Sequence, residues 1–131
     1  YAALAHNKLY KHEYTSSLEI ANRALSLEVK GANKDFIKLY STMGTCYYYQ
    51  SEFEKAIKTH LKALKICDDL NDQKNKANIY NNISVVYMSM NDWVNTEEYI
   101  TKAHKLAEEY RNNYEKVYIL ISKFSPNRIY S

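Results

Sequence analysis

Hydrophobic and polar positions along the chain repeat with a long period of about 40 residues. The segment YSTMG (40–44) aligns with YNNIS (80–84), and both YILIS (118–122) and YAALA (1–5) share its pattern. Each segment has an aromatic residue, two variable residues, an aliphatic residue and a small residue. Self-similarity at a fixed period of this size is typical of proteins built from stacked structural repeats.

A second motif follows the first three of these segments. Residues 14–27, 53–66 and 93–106 align without gaps. Each has a leading aromatic residue, a small residue and a later aliphatic residue, namely Tyr14, Ala24 and Leu27; Phe53, Ala63 and Ile66; and Trp93, Ala103 and Leu106. The spacing within these segments indicates helices with one apolar face.

The two motifs together predict seven helices. We expect them at about 1–11, 13–30, 34–49, 52–70, 74–89, 92–110 and 114–124. The breaks between them are short and polar, such as KHE (11–13) and RNN (111–113). Ser51 and Asp92 are the predicted N-caps, because their side-chain oxygens can accept hydrogen bonds from free backbone N–H groups. The tail at 125–131 is expected to be frayed.

Small residues recur where two helices would have to approach closely. Ala5, Gly44, Ser84 and Ser122 fall in the first helix of each predicted pair, and Ala24, Ala63 and Ala103 fall in the second. A glycine inside a helix costs about 1 kcal/mol relative to alanine, so close packing is the expected compensation at Gly44. Because a helix pair cannot bury its apolar face alone, successive pairs are predicted to stack into a continuous core.

These positions resemble the tetratricopeptide repeat. Gly44, Tyr47, Ala56 and Ala63 match the small and aromatic positions of that family in the middle repeat. The third repeat matches through Tyr87 and Ala103, with Thr96 where the family usually has alanine. The usual helix-ending proline is absent, and the aromatic spacings of 38, 39 and 40 residues exceed the common period, as in the long-repeat variety of bacterial regulators and sensors.

The resemblance implies an all-α fold, a right-handed superhelical solenoid of antiparallel helix pairs. A single domain is expected over 1–131, with repeats at about 1–33, 34–73 and 74–113 and the first helix of a fourth repeat at 114–124. In this arrangement Tyr47 packs between helices. Tyr48 and Tyr49 lie further round the helix, towards the inner curve or its rim.

Composition and charge narrow the possible functions. The 131 residues contain 2 Gly and 1 Pro, too few for the many tight turns of a β-sandwich. With 18 basic and 15 acidic residues interleaved, the net charge of +3 gives no footprint for direct nucleic-acid binding. Cys46 and Cys67 are expected to be free, half-buried thiols. No apolar run approaches a membrane span, and a cytoplasmic location is expected. A chain that begins with Tyr1 rather than Met is interpreted as a piece of a longer protein.

No motif for catalysis, a metal or a cofactor is present in the sequence. The histidines, His6, His12, His60 and His104, form no HExxH motif or Cys/His cluster, and packing or exposure is expected for His60 and His104. Phosphate-binding glycine loops are absent as well. Paired acids such as Asp68–Asp69 and Glu97–Glu98 are interpreted as solvated helix faces. The chain is therefore expected to be a non-enzyme without a cofactor or metal.

The resemblance implies a concave groove, lined by the first helices, that binds a protein or peptide partner. The predicted groove residues are His6, Tyr10, Lys38, Ser41, Thr42, Thr45, Tyr48, Tyr49, Asn78, Asn81, Asn82, Val85 and Met88. Their amide and hydroxyl groups suit an extended peptide backbone, and their tyrosines add apolar area. The alternative for this surface is that it is only solvated, or is covered by further repeats of a longer chain.

Two functions remain open from the sequence. The first is a non-catalytic binding scaffold, as the regulatory or sensor part of a larger bacterial signalling or transcription-regulatory protein. The alternative is a self-associating structural array whose terminal helices mediate oligomerisation. Its predicted contact residues are Val117, Tyr118, Ile119, Leu120 and Ile121, an apolar run in the last predicted helix.

Overall fold

The computed structural model describes residues 2–27 and 33–124 of the chain, with side chains described at 13–27 and 33–123. Within these ranges the regular secondary structure is entirely α-helical. The helices are α1 (Ala2–Ser26), α2 (Lys34–Tyr49), α3 (Phe53–Leu70), α4 (Gln73–Ser89) and α5 (Trp93–Phe124). The all-α prediction is confirmed.

The described part of the chain has five helices rather than the seven predicted. Helix α1 runs through 11–13 and α5 runs through 111–113, so these two predicted breaks are wrong. Neither segment contains glycine or proline, but the three observed turns do not either, and Asn112 and Asn113 are of the same type as the turn residue Asn71. The polar character of a triplet therefore does not by itself end a helix, because a turn also needs a residue that takes a non-helical backbone conformation.

The three observed turns each contain a residue with left-handed backbone geometry. Ser51, Asn71 and Asn91 have φ angles of 62°, 53° and 59°. In each turn the next residue donates its backbone N–H to a carbonyl five positions earlier, for example from Asp72 to Cys67 at 2.9 Å. This is the hydrogen bond of the Schellman motif, which satisfies a free carbonyl at the end of a helix and reverses the chain.

The starts of α4 and α5 are capped in the same way. Asp72 and Asp92 each accept from the backbone N–H of the residue three positions later, at 3.1 and 3.2 Å, and from its side-chain amide at 2.7 Å. Hydrogen bonds from the side chain and backbone of Asn95 lower the pKa of the Asp92 carboxyl. The prediction of an N-cap at Asp92 is confirmed.

The predicted N-cap at Ser51 is wrong. Glu52 occupies that position before α3, without a side-chain capping bond. Ser51 has the left-handed conformation that ends α2 instead. The side-chain oxygen of Ser51 suits an N-cap, but the backbone geometry of the turn puts the cap one residue later, at Glu52.

The core lies between consecutive helices. Helix α2 packs against α3 and α4 against α5, with α1–α2 and α3–α4 contacts joining these pairs. One apolar cluster consists of Ile37, Ala63, Cys67, Ile79 and Ile83, and a second of Leu18, Ala21, Met43 and Cys46. Of the predicted small contact residues in the second helices, Ala63 and Ala103 are buried and Ala24 is half-buried.

Candidate functional site

The three consecutive tyrosines at the end of α2 serve three different surfaces. Tyr47 is half-buried against the Leu18–Met43 cluster, as predicted. Tyr48 is half-buried, and its hydroxyl pairs with Ser89 Oγ of α4 at 2.9 Å. Tyr49 is exposed and stacks on Tyr14 of α1, with ring centroids 5.1 Å apart. One short run of sequence therefore contacts the core, α4 and α1.

The predicted groove residues that the structure describes all reach the surface. Those on α2 include Lys38, Thr42, Thr45 and Tyr49, whose spacing of four, three and four residues places them along one helix face. None of the described groove residues is buried; Ser41, Thr45, Tyr48 and Asn82 are half-buried and the others are exposed. The side chains of His6 and Tyr10 lie outside the described residues.

A cleft opens between α2 and α4. It has a volume of about 350 Å³ including its mouth, and it is lined by Thr45, Tyr48, Tyr49, His60, Asn82, Val85 and Val86. Five of these residues were predicted for the groove. The Tyr48–Ser89 hydrogen bond joins the two helices beside the cleft. The structure thus brings the α2 and α4 parts of the predicted groove together.

His60 was not predicted for the groove, yet it lines this cleft from α3. Its side chain is 1% exposed, and its Nδ1 atom is buried without a hydrogen-bond partner among the described residues. Burial lowers the pKa of the imidazole to about 4, so the ring is neutral at pH 7. The sequence assigned His60 to packing or exposure, and packing is the outcome, with access to the cleft in addition.

Gly44 makes the position of His60 possible. A β-carbon at residue 44 would lie 2.6 Å from both Cε1 and Nε2 of the His60 ring, far inside van der Waals contact. The small residue predicted for close helix packing therefore accommodates one imidazole ring. A glycine on the first helix and a polar residue on the second helix of the same repeat were the available sequence signal.

A second cleft continues the surface towards α1. It has a volume of about 710 Å³ and is lined by Ser17, Ile20, Ala21, Asp35, Lys38, Leu39 and Thr42. Ile20 is 65% exposed there. Because Lys38 and Thr42 lie on the same face of α2 as Thr45 and Tyr49, the two clefts lie along one stripe of α2.

The chemistry of this surface is that of hydrogen bonding and apolar contact. Among the described residues, no Asp, Glu, Lys or Arg lines the α2–α4 cleft. Within the described ranges, no group of three or more His, Cys, Asp or Glu residues is placed to hold a metal ion. Cys46 and Cys67 are free and fully buried, deeper than predicted, and burial together with Asp72 and Asp68 raises the pKa of Cys67 to about 11.

The far half of α5 forms a separate surface. The predicted self-association residues, Val117, Tyr118, Ile119, Leu120 and Ile121, are all more than half exposed. They lie in the extension of α5 past residues 111–113, within a stretch of the helix (107–121) in which every residue is exposed. The structure places them together on one helical segment.

Comparison with known families identifies the repeat. A tetratricopeptide-repeat family model matches residues 35–109, more than half of the chain. The chain belongs to the tetratricopeptide-repeat family. Repeats of this family generally mediate protein–protein interactions. The matched range covers nearly all of α2, all of α3 and α4, and the first half of α5. It therefore includes the three helices that line the α2–α4 cleft.

A solved structure supports the same fold. The crystal structure of BtubC (BKLC) from P. vanneervenii superposes with a TM-score of 0.60 at 20% sequence identity, over 76% of this chain. This tetratricopeptide-repeat chain spans 40% of the length of that protein. At such an identity the likeness concerns the fold alone. No curated protein matches the sequence. Among the described helices, none combines the length and apolar character needed to cross a bilayer.

Proposed function

We propose that the surface formed by α2 and α4 binds an extended polypeptide segment of a partner protein without covalent chemistry. The observation that carries this proposal is the α2–α4 cleft, with exposed polar side chains continuing from it along both helices. A groove of this kind contacts a peptide over several residues, while the helices behind it keep its shape.

The side chains of the groove suit a peptide backbone. Asn78 and Asn81 are exposed, and Asn82 is half-buried at the cleft. A carboxamide can donate to a peptide carbonyl and accept from a peptide N–H. Tyr49 adds a large exposed ring that can cover apolar side chains of the ligand. The groove therefore offers partners both for the backbone and for side chains.

The biological setting is a further part of the proposal. The sequence spacing of 38 to 40 residues resembles that of repeat regions in bacterial regulators and sensors. We place the chain in the bacterial cytoplasm, as the ligand-sensing or partner-binding part of a larger signalling or transcription-regulatory protein. Its complete open reading frame would test this setting, since a helix-turn-helix or kinase domain beside the repeats supports it and an unrelated enzyme domain opposes it.

Paired substitutions on α4 should separate binding from folding. We expect Asn78→Ala with Asn82→Ala to weaken binding of a peptide selected from a random library by about tenfold or more, because hydrogen bonds at the groove are lost. The thermal midpoint should change little, since Asn78 is exposed and Asn82 is half-buried. Isothermal titration calorimetry measures the affinity, and circular dichroism measures the midpoint.

A matched control is present on α5. Asn112→Ala with Asn113→Ala removes two exposed carboxamides away from the groove and should leave the affinity unchanged. If the α4 pair and the α5 pair have the same effect on affinity, the groove is not the binding surface.

We also propose self-association through α5, on a different observation. His60 and Cys67 of α3 are 1% and 0% exposed beside α4. The residues 40 positions later on α5 are Ile100, which is 40% exposed, and Ala107, which is exposed. Within the part of the chain that the structure describes, the third repeat therefore lacks the covering helix that α4 provides for the second.

Residues 114–124 have the sequence expected of the missing covering helix. The segment YILIS (118–122) aligns with YNNIS (80–84) of α4, which packs on α3. Because α5 is continuous through 111–113, this segment has no turn that would fold it back on the uncovered face of its own chain. The partner we propose is a second copy: each copy lays residues 114–124 on the Ile100–Ala107 face of the other, a reciprocal exchange.

Charged substitutions in the extension test this dimer. We expect the wild-type chain to be a dimer at micromolar concentration by light scattering. Val117→Glu with Ile121→Glu should make it monomeric, because carboxylates would be buried at the contact. Asn112→Glu with Asn113→Glu adds the same charge without removing apolar contact and should leave the dimer intact. A wild-type monomer at all concentrations, as expected if the segment folds back within one copy, would exclude the exchange.

A further inference from the structure

The α2–α4 cleft has a polar floor that the repeat architecture does not require. His60 lies on α3, with Gly44 of α2 across from its ring. In the third repeat the corresponding positions are Ile100 and Ser84. An aliphatic residue therefore occupies this position in the third repeat, where it is 40% exposed, and the repeat pattern does not call for a histidine there. The imidazole of His60 needs another explanation.

The hydrogen-bonding state of His60 supplies one. Its side chain is 99% removed from solvent, and Nδ1 has no partner among the described residues. Leaving such a polar atom buried and unpaired is unfavourable, because its hydration is lost and no other hydrogen bond replaces it. Native proteins rarely retain this cost without a ligand, a water molecule or a functional role for the group. The cleft that His60 lines is the place from which a partner can reach the ring.

We propose that the α2–α4 cleft is a specificity pocket for one small uncharged side chain of the bound polypeptide, carrying an aliphatic hydroxyl or a carboxamide group that hydrogen-bonds to His60. The ligand residue is thus Ser, Thr, Asn or Gln. This inference rests on the proposed function, since the side chain belongs to a segment bound along α2 and α4.

The lining of the pocket selects for this chemistry. Asn82 and Thr45 can donate and accept, while Val85 and Val86 provide apolar walls. Since none of the described lining residues is Asp, Glu, Lys or Arg, a charged ligand side chain would lose its hydration without gaining an ion pair from them. A neutral imidazole offers one donor and one acceptor nitrogen, and hydroxyl and carboxamide groups can satisfy either.

The size of the cleft agrees with a single side chain. Its volume of about 350 Å³ includes the open mouth. Pockets for drug-sized molecules range from about 300 to 1,000 Å³, so this cleft is at the small end of that range. Tyr48, held by Ser89, stands beside it and fixes one wall. The pocket therefore serves as one subsite within a longer groove.

The test uses peptides selected from a random library by the whole 131-residue chain. We expect the selected sequences to share one Ser, Thr, Asn or Gln, and its replacement by Ala to weaken binding about tenfold or more. His60→Ile, which copies the third repeat, should weaken the parent peptide by a similar factor. With His60→Ile, the parent peptide and its Ala version should bind with equal affinity, because the side chain that was replaced no longer has its partner. The matched control is His104→Ile, because His104 is an exposed histidine outside the cleft.

The outcomes distinguish the pocket from the groove. Peptides that bind with equal affinity to wild type and His60→Ile, or that require an acidic or basic residue at the shared position, overturn the pocket and leave the groove. A chain that selects no peptide overturns the groove and the pocket with it. If His60→Ile fails to fold, NMR of the wild-type protein decides: the His60 ring Cε1 resonance should shift with the parent peptide and not with its Ala version.

Discussion

Gly44→Leu should destabilise the folded chain by about 3 kcal/mol, at the upper end of the usual cost of overpacking a core. Even the first carbon of the new side chain would lie 2.6 Å from two atoms of the His60 ring. The ring is fully buried, so it cannot move aside without displacing α2 or α4. Urea denaturation followed by circular dichroism measures the change in the free energy of unfolding.

Gly44→Ala gives the controlled version of this experiment. Alanine favours a helix by about 1 kcal/mol over glycine, so a purely helical effect would stabilise the protein. We expect destabilisation instead, because of the contact with His60. In the His60→Ala background the clash is removed, and Gly44→Ala should become neutral or stabilising. Stabilisation by Gly44→Ala in the wild-type background would mean that Gly44 and His60 are not in close contact.

Acid should destabilise the protein through His60. The pKa of this imidazole falls from 6.5 to about 4 on burial. Between these values the unfolded chain binds a proton that the folded chain excludes, so stability decreases as pH falls from 6.5 towards 4. The contribution is about 3 kcal/mol and is present in full above pH 6.5. It should be measured as the free energy of unfolding in urea at pH 7, 6, 5 and 4.

His60→Ile isolates this contribution from other acid effects. Carboxyl groups with a lowered pKa in the folded state, such as that of Asp92, also make the protein less stable in acid. Their effect is the same in both proteins. The stability difference between the wild type and His60→Ile should therefore change by about 3 kcal/mol between pH 7 and pH 4 in favour of the variant. A difference independent of pH would show that His60 is solvated in the folded state.

The sequence predicted most of the helix array because similar residues recur at the same positions of successive repeats. The starts of α2, α3, α4 and α5 fall within one residue of their predicted positions. Tyr47 and Ala63 pack as the motif predicts. In these places helix periodicity and the sizes of side chains decide the structure, and both can be read from the amino-acid order.

The sequence did not predict the features that depend on backbone conformation or on contacts among three helices. The segments 11–13 and 111–113 are as polar as the true turns but lack a left-handed residue. Ser51 is a residue type suited to an N-cap, but its φ angle of 62° gives it the left-handed conformation that ends α2. His60 lines the groove because Gly44 of α2 leaves space for its ring and α4 packs over α3. The spacing of residues along one helix does not predict a contact among three helices.

Backbone amide chemical shifts, recorded with and without a library-selected peptide, test most directly whether α2 and α4 form the ligand-binding surface. We expect the largest changes at residues 38–49 and 78–89, with the remainder of α3 beyond His60 and the extension of α5 little affected. Changes concentrated on the outer faces of α3 and α5, with 38–49 and 78–89 unperturbed, would contradict binding in the groove.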